Sequence, residues 1–379
     1  MKSYGKLWVI FSVSVLCAST LAEIAENVCR EQAVGRELCP ELFLLGAQKC
    51  GSTAVFRALT ENFKLDLTLP VGIPLVKEPQ FFNYFYEKGW SWYIGAYGFR
   101  KSTDQVGIDA SADYTAFAQA PVRIQAGMNA EKLRFIMIMR DPVQRAYSWY
   151  THVHAFEMFY ENYREAYLCF DYKFSLMSKY ATEAIAKCMQ AAGSPPEVFA
   201  ACYHMARSQT YPSYRNHHVY VEETGMTTAY FDIIAYHFTS GLYGYILAYW
   251  FKFFAPEQFC FLVYENMVEN PLSEFAYLKP CVEHFGRQIN LETKSVELPK
   301  ANVQVCQNCA YYEQLSEENF KAVGASLHRE LYLDSNELVR RTLREHYNRT
   351  DVRLWEIDYG SGYRLPGSVA EDLNSALKS

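Results

Sequence analysis

The sequence predicts an α/β protein: a central parallel β-sheet flanked by helices, carrying a helical, Tyr-rich insertion. Three stretches point there. Leu42–Phe56 (LFLLGAQKCGSTAVF) reads as a buried strand, a glycine-bounded loop and the start of a helix. Leu133–Met139 (LRFIMIM) is an apolar run of strand length, followed by Val143, Ala146, Tyr147 and Tyr150 at helical spacing. Phe259–Tyr264 is another such run, preceded by a helical pattern over Leu242–Phe254. Strands that alternate with helices imply parallel pairing, and strands covered on both faces read as continuous apolar runs.

Along the chain, Met1–Ala22 has a positive start and a short apolar stretch over Leu7–Leu16, as a signal peptide or a signal-anchor does. It falls short of the ~20 apolar residues of a membrane span. Either reading places the rest of the chain in a lumen or outside the cell; only an uncleaved anchor would bring a membrane partner. A lead over residues 23–40, an α/β domain over 41–360 and a tail over 361–379 complete the expected organisation.

The loop after the first strand is built for phosphate, since N–H groups of a Gly-rich loop and of a first helical turn lack intrahelical partners. Gly46 and Gly51 bracket four residues, as in a nucleotide P-loop, but Ser52 stands where the Walker lysine belongs. The only lysine, Lys49, lies inside the loop. This P-loop-like arrangement suits a ligand with one 5′ phosphate-type group and no γ-phosphate. Further on, Arg140 closes the Leu133–Met139 strand, at the edge where open α/β sheets place ligands.

Residues 156–237 depart from the alternation: they are helical and Tyr-rich, interrupted by Gly193-Ser194-Pro195-Pro196. Either an acceptor cleft or a packing appendage fits that stretch. Leu298–Asn308 is polar and irregular, and Arg340, Arg341, Arg344 and Arg349 read as a solvated helix face. Hydrophobic residues at 50% and charged ones at 21% exclude a disordered class. The net charge of −6 argues against a nucleic-acid partner. The 30 tyrosines serve either as groove lining for carbohydrate or as core filler.

Eleven cysteines fit an oxidising compartment, but spacing does not assign their partners. Cys29 with Cys39 is the candidate local staple, and Cys281 is a candidate partner of Cys306 or Cys309. Cys50 and Cys260 are expected to stay reduced and fill space. Asn348-Arg349-Thr350 is a glycosylation sequon.

Three motifs in order resemble the sulfotransferases that use 3′-phosphoadenosine 5′-phosphosulfate (PAPS). QKCGST resembles that family's 5′-phosphosulfate loop, which implies donor contacts from Gln48, Lys49, Cys50, Gly51, Ser52 and Thr53. RDPVQRAYSWY resembles its 3′-phosphate motif, with Arg140 and Ser148 in the matching places. Lys77-Glu78-Pro79-Gln80-Phe81-Phe82 resembles the KE-x-x-FF segment of the glycosaminoglycan branch, whose glutamate implies Glu78 as general base. Weaker echoes are Gly107–Tyr114, the Glu265-Asn266 strand end, and closing helices at Leu338–Tyr347 and Asp351–Trp355. The resemblance further implies a lid over 298–308 with Lys300 near the donor, and Lys49 stabilising the leaving oxygen. It implies a carbohydrate acceptor, a Golgi or secreted location, PAPS as co-substrate and no metal. A nucleoside-triphosphate kinase and an inactive secreted glycan-binding protein are the alternatives.

Overall fold

The computed structural model describes residues 29, 35–62, 67–73, 77–102, 105–155, 167, 170–192, 194–205, 220–221, 226–286, 313–350 and 355. The strands among them are Pro40–Gly46 (β1), Leu67–Thr68 (β2), Val106–Asp109 (β3), Arg134–Met139 (β4), Tyr220–Val221 (β5), Met226–Thr227 (β6) and Phe259–Val263 (β7). Five of them form one sheet in the order β2-β3-β1-β4-β7, with every pair parallel. The apolar runs sit at its centre. All of β1, β3 and β7, and all of β4 except Arg134, are buried. Each fully buried Leu, Ile or Phe contributes about 1.5–3 kcal/mol, so the central strands alone supply a large share of the driving force.

Parallel strands force the chain to cross over between pairings, and the crossings carry helices. Ser52–Arg57 (α1), Trp90–Gly95 (α2), Gln119–Gly127 (α3) and Pro142–Ala155 (α4) follow the first four strands. The expected insertion begins after α4. Phe174–Ala192 (α5) packs on Pro195–Met205 (α6) and on Thr228–Thr239 (α7), and α6 packs on Tyr243–Trp250 (α8) beside the sheet. The stretch is not wholly helical, because β5 and β6 pair antiparallel within it. Seven of its own and the scaffold's tyrosines (Tyr93, Tyr114, Tyr150, Tyr167, Tyr236, Tyr243 and Tyr332) are fully buried, so these fill the core.

Two cysteine expectations are corrected. Cys29 does bond Cys39, and Cys50 is free and buried. Cys260, however, is not reduced: it bonds Cys281 across a Cα separation of 6.1 Å. Cys281 therefore has no part in a bridge to Cys306 or Cys309. The reason is tertiary: the short helix Lys279–Glu283 packs on β4 and β7 and brings its sulfur to the strand. A third disulfide, Cys188–Cys202, staples α5 to α6. Cys169, Cys306, Cys309, Lys300, the Leu298–Asn308 segment, residues 1–22 and the tail lie outside the described residues. No described helix is long and apolar enough to cross a membrane.

Arg349 is also corrected. It is not on a solvated face but 3% exposed, past the end of Leu333–Tyr347, the last described helix. Its guanidinium meets the Glu274 carboxylate at 3.0 Å and lies 3.6 Å from the Tyr277 ring centroid. The pair works on the outer edge of β7, the end strand of the described sheet. Arg349 Nη1 donates to the Phe261 carbonyl at 2.9 Å, and the Val263 N–H donates to Glu274 Oε1 at 2.6 Å. An open edge is thereby closed by side chains instead of another strand. Removing one partner strands a buried charge, so Arg349→Met is expected to destabilise the fold by about 3–5 kcal/mol in urea denaturation. A loss below about 1 kcal/mol would mean that the pair behaves like an exposed one.

Candidate active site

The sheet delivers three segments to its carboxyl edge: the loop after β1, the Lys77–Phe82 segment beside β3, and the turn after β4. The loop's shape is set by close approach. A Cβ at Gly46, φ 105°, would lie 1.9 Å from the Ala112 carbonyl oxygen, so only glycine lets the loop pass the next strand's turn. Gly51, φ 88°, caps the entry to α1. Between them Lys49 adopts a left-handed φ of 66°, uncommon for a residue with a side chain. The Ala47 N–H ties the loop to β4 by donating to the Ile138 carbonyl at 2.9 Å. The N–H groups of Gln48, Lys49, Gly51, Ser52 and Thr53 carry no hydrogen bond among the described residues, as an anion cradle requires.

Arg140 stands against this loop. Its Nη1 donates to the Lys49 carbonyl at 2.9 Å, its Nη2 reaches Gln144 Oε1 at 3.4 Å, and its guanidinium lies 4.4 Å from the Tyr264 ring centroid. Arg140 is 7% exposed, its buried Nε has no partner, and no carboxylate among the described residues pairs with it. The adjacent Asp141 is engaged elsewhere: its Oδ1 accepts from the Val143 and Gln144 N–H groups and caps α4. Burial, and then the Arg140 charge, push the Lys49 ammonium down to about 8. Two cations thus share a partly dry site without an ion-paired acid among the described residues. Such an arrangement is built to receive an anion.

The two segments are also bolted together from behind. The Arg140 N–H donates to the Tyr243 hydroxyl at 3.4 Å, and that hydroxyl lies 3.4 Å from Cys50 Sγ. The Tyr236 hydroxyl donates to Gln48 Oε1 at 3.5 Å. Ser148, half-buried, lies six residues into α4, about 9 Å along its axis. The loop residues and Arg140 are brought into contact; the Ser148 hydroxyl, inside α4, makes no hydrogen bond among the described residues.

The third segment rests on a buried acid. Asp109 accepts from the Tyr93 and Tyr114 hydroxyls at 2.8 and 2.9 Å and from the Ser111 N–H at 3.0 Å. Burial pushes its carboxyl up to about 6 against the pull of those hydrogen bonds. The same Tyr114 hydroxyl accepts from the Phe81 and Phe82 N–H groups, and the Ala110 N–H donates to the Lys77 carbonyl at 3.0 Å. Glu78 is therefore fixed beside the β3 terminus. Its Oε1 accepts from Lys77 Nζ and its Oε2 from Gln80 Nε2 at 2.9 Å. A carboxylate has about four lone-pair positions, so acceptor capacity remains.

Sequence reasoning passed over Tyr243, Tyr264, Gln80 and Asn83. The Phe259–Tyr264 run held the signal for Tyr264, because the end of any strand in a parallel sheet shares the edge where Arg140 lies. Tyr243 and the two amides had no local signal; their partners are distant in sequence or follow from backbone shape.

A family model described as the sulfotransferase domain matches residues 40–350. Over 121 residues the chain is 35% identical to a bifunctional heparan sulfate N-deacetylase/N-sulfotransferase 1 of Caenorhabditis elegans, covering 31% of this chain and 13% of that protein. The Homo sapiens protein of that name is 35% identical over 118 residues, again covering 31% of this chain and 13% of that protein. The match thus spans a small part of these relatives' length. Among solved structures, a sulfotransferase from Alicyclobacillus acidocaldarius aligns with a TM-score of 0.43 at 16% identity, covering 81% of this chain and 96% of that chain.

The loop thiol offers a direct check on this geometry. Burial first, opposed by Arg145 and the Tyr243 hydrogen bond, pushes Cys50 up to about 11. The native protein at pH near 8 is therefore expected to leave Cys50 unalkylated by iodoacetamide, and the denatured protein to react fully, as read by mass spectrometry. Rapid native labelling would place that sulfur in water.

Proposed function

This chain belongs to the sulfotransferase family, and from that premise we propose that it transfers a sulfuryl group from PAPS to a hydroxyl of a glycosaminoglycan-like carbohydrate. The observation that carries this reading is the Lys49–Arg140 pair, two cations joined through the Lys49 carbonyl and ion-paired with no carboxylate among the described residues. A donor with phosphate-type groups on both its 5′ and 3′ positions offers one anion to each. Loop N–H groups, Lys49, Ser52 and Thr53 hold the 5′ end; Arg140 and Ser148 hold the 3′ end. Lys300 completes the donor contacts from the segment outside the described residues.

Glu78 takes the proton from the acceptor hydroxyl as its oxygen forms a bond to sulfur. The bond from sulfur to the 5′-phosphate oxygen breaks, and adenosine 3′,5′-bisphosphate leaves. Lys49 stabilises the charge that grows on the departing oxygen, an interaction stronger in the transition state than before it. The balancing cation in this step is a side chain. The domain works in the Golgi lumen or outside the cell, which accords with three disulfides among the described cysteines.

A second acceptor atom has specific support. The matched relatives are named N-sulfotransferases, and a glucosamine nitrogen loses its proton to the same base. Transfer of labelled sulfate from PAPS to a glycan panel with and without free amino groups separates the two. No transfer to any member would overturn the enzymatic reading and leave a glycan-binding role.

Glu78→Gln is expected to lower turnover by about 10²–10⁴-fold while binding of adenosine 3′,5′-bisphosphate persists. Near-normal turnover would remove Glu78 from the chemistry. Lys49, pushed down to about 8, is charged below that pH and loses its proton above it. Calorimetric affinity for adenosine 3′,5′-bisphosphate should accordingly fall as pH rises through about 8, and Lys49→Met should flatten that slope. An identical slope in both proteins would exclude Lys49 as its source.

A further inference from the structure

A one-way series of hydrogen bonds runs from the backbone to the Glu78 carboxylate. The Tyr84 N–H donates to Asn83 Oδ1 at 2.8 Å. A backbone N–H is only ever a donor, so this contact fixes which end of the Asn83 amide is oxygen. Asn83 Nδ2 consequently faces the other way and donates to Gln80 Oε1 at 2.5 Å. That contact orients the second amide in turn, and its Nε2 donates to Glu78 Oε2 at 2.9 Å. Gln80 and Asn83 are 4% and 6% exposed, where water does not compete.

The backbone around Gln80 is held as firmly as its amide. Its φ of 52° is left-handed, and its N–H donates to Ser111 Oγ at 2.9 Å. A residue with a side chain keeps such a conformation only where its surroundings impose it. Lys77 meanwhile binds the other Glu78 oxygen. The carboxylate is therefore gripped by two donors from opposite sides, one ionic and one neutral.

We propose that Gln80 and Asn83 are positioning residues, which present a fixed N–H donor to Glu78 and so hold its unused lone pairs toward the sugar acceptor. This inference rests on the reading of Glu78 as the general base. Its particular content is polarity: reversing either amide would set oxygen against oxygen and turn the carboxylate out of line. Volume and packing would hardly change.

Asn83→Asp tests that polarity. The Tyr84 N–H keeps its acceptor, but the second aspartate oxygen cannot donate. Gln80 must then turn its Nε2 toward Asp and its Oε1 toward Glu78. The expected result is a loss in kcat of about 10²-fold, the scale that misplacing a reacting group carries. The acceptor KM and the affinity for adenosine 3′,5′-bisphosphate should stay within about twofold, since only the transition state needs the aimed carboxylate.

Gln80→Leu has no amide to turn. It should lower kcat by a smaller factor, about tenfold, and adding Asn83→Asp on that background should cost nothing more. Should Asn83→Asp fail to fold, Gln80→Glu makes the same reversal from the neighbouring position and is read in the same way. Independent, multiplying losses in the double variant would overturn the inference, as would an unimpaired kcat in a folded Asn83→Asp. If Glu78→Gln keeps near-normal turnover, or the native protein transfers no sulfate, the underlying reading fails instead. An active native enzyme, an inactive Glu78→Gln and additive amide losses would sink the relay alone.

Discussion

One hydrogen bond, from the Arg140 guanidinium to the Lys49 carbonyl, joins the ends of β1 and β4 and sets two positive charges side by side. The parallel sheet makes this meeting unavoidable, because neighbouring strands that run the same way end on the same edge. What is unusual is that neither cation forms an ion pair with a carboxylate among the described residues. Asp141 is occupied by the start of α4, while half-buried Glu265 accepts from the Asp141 N–H and from Trp355 Nε1. Both acids are thus bound to backbone or indole, and burial pushes the Glu265 carboxyl up against the pull of the Arg140 charge.

The other half of the site is made by different means. On the β3 side Lys77 pairs with Glu78, and a graded support begins with Asp109 in the core. Its carboxylate gathers two tyrosine hydroxyls and a backbone N–H. One of those tyrosines, Tyr114, then holds the backbone of Phe81 and Phe82. Glu78 inherits its place from that stack. Two cations meet on one side of β1, and packing fixes the carboxylate on the other. A rigid strand stands between the two tasks.

The sheet, its loop and the Arg140 strand end were legible because each rests on local pattern: a continuous apolar run, a glycine pair, a helical repeat. Asn348-Arg349-Thr350 shows where local reading stops. Arg349 looked like one more exposed cation, yet it is the group that closes β7, since Glu274 approaches it from 75 residues away in sequence. Cys260 and Cys281 likewise meet only because a short helix folds back on its own strand. Glu78 could be singled out from its neighbours in sequence, whereas the two amides behind it could not. Their role depends on Gln80 taking a left-handed turn, which no composition rule demands of glutamine.

Calorimetry comparing adenosine 3′,5′-bisphosphate with adenosine 5′-phosphate, on the native protein and on Arg140→Ala, goes most directly to the paired-cation account. The account requires the native protein to prefer the bisphosphate strongly, and the variant to lose most of that preference while its weak hold on the monophosphate changes little. Equal affinity losses for both nucleotides, or a native protein indifferent to the 3′ group, would contradict it.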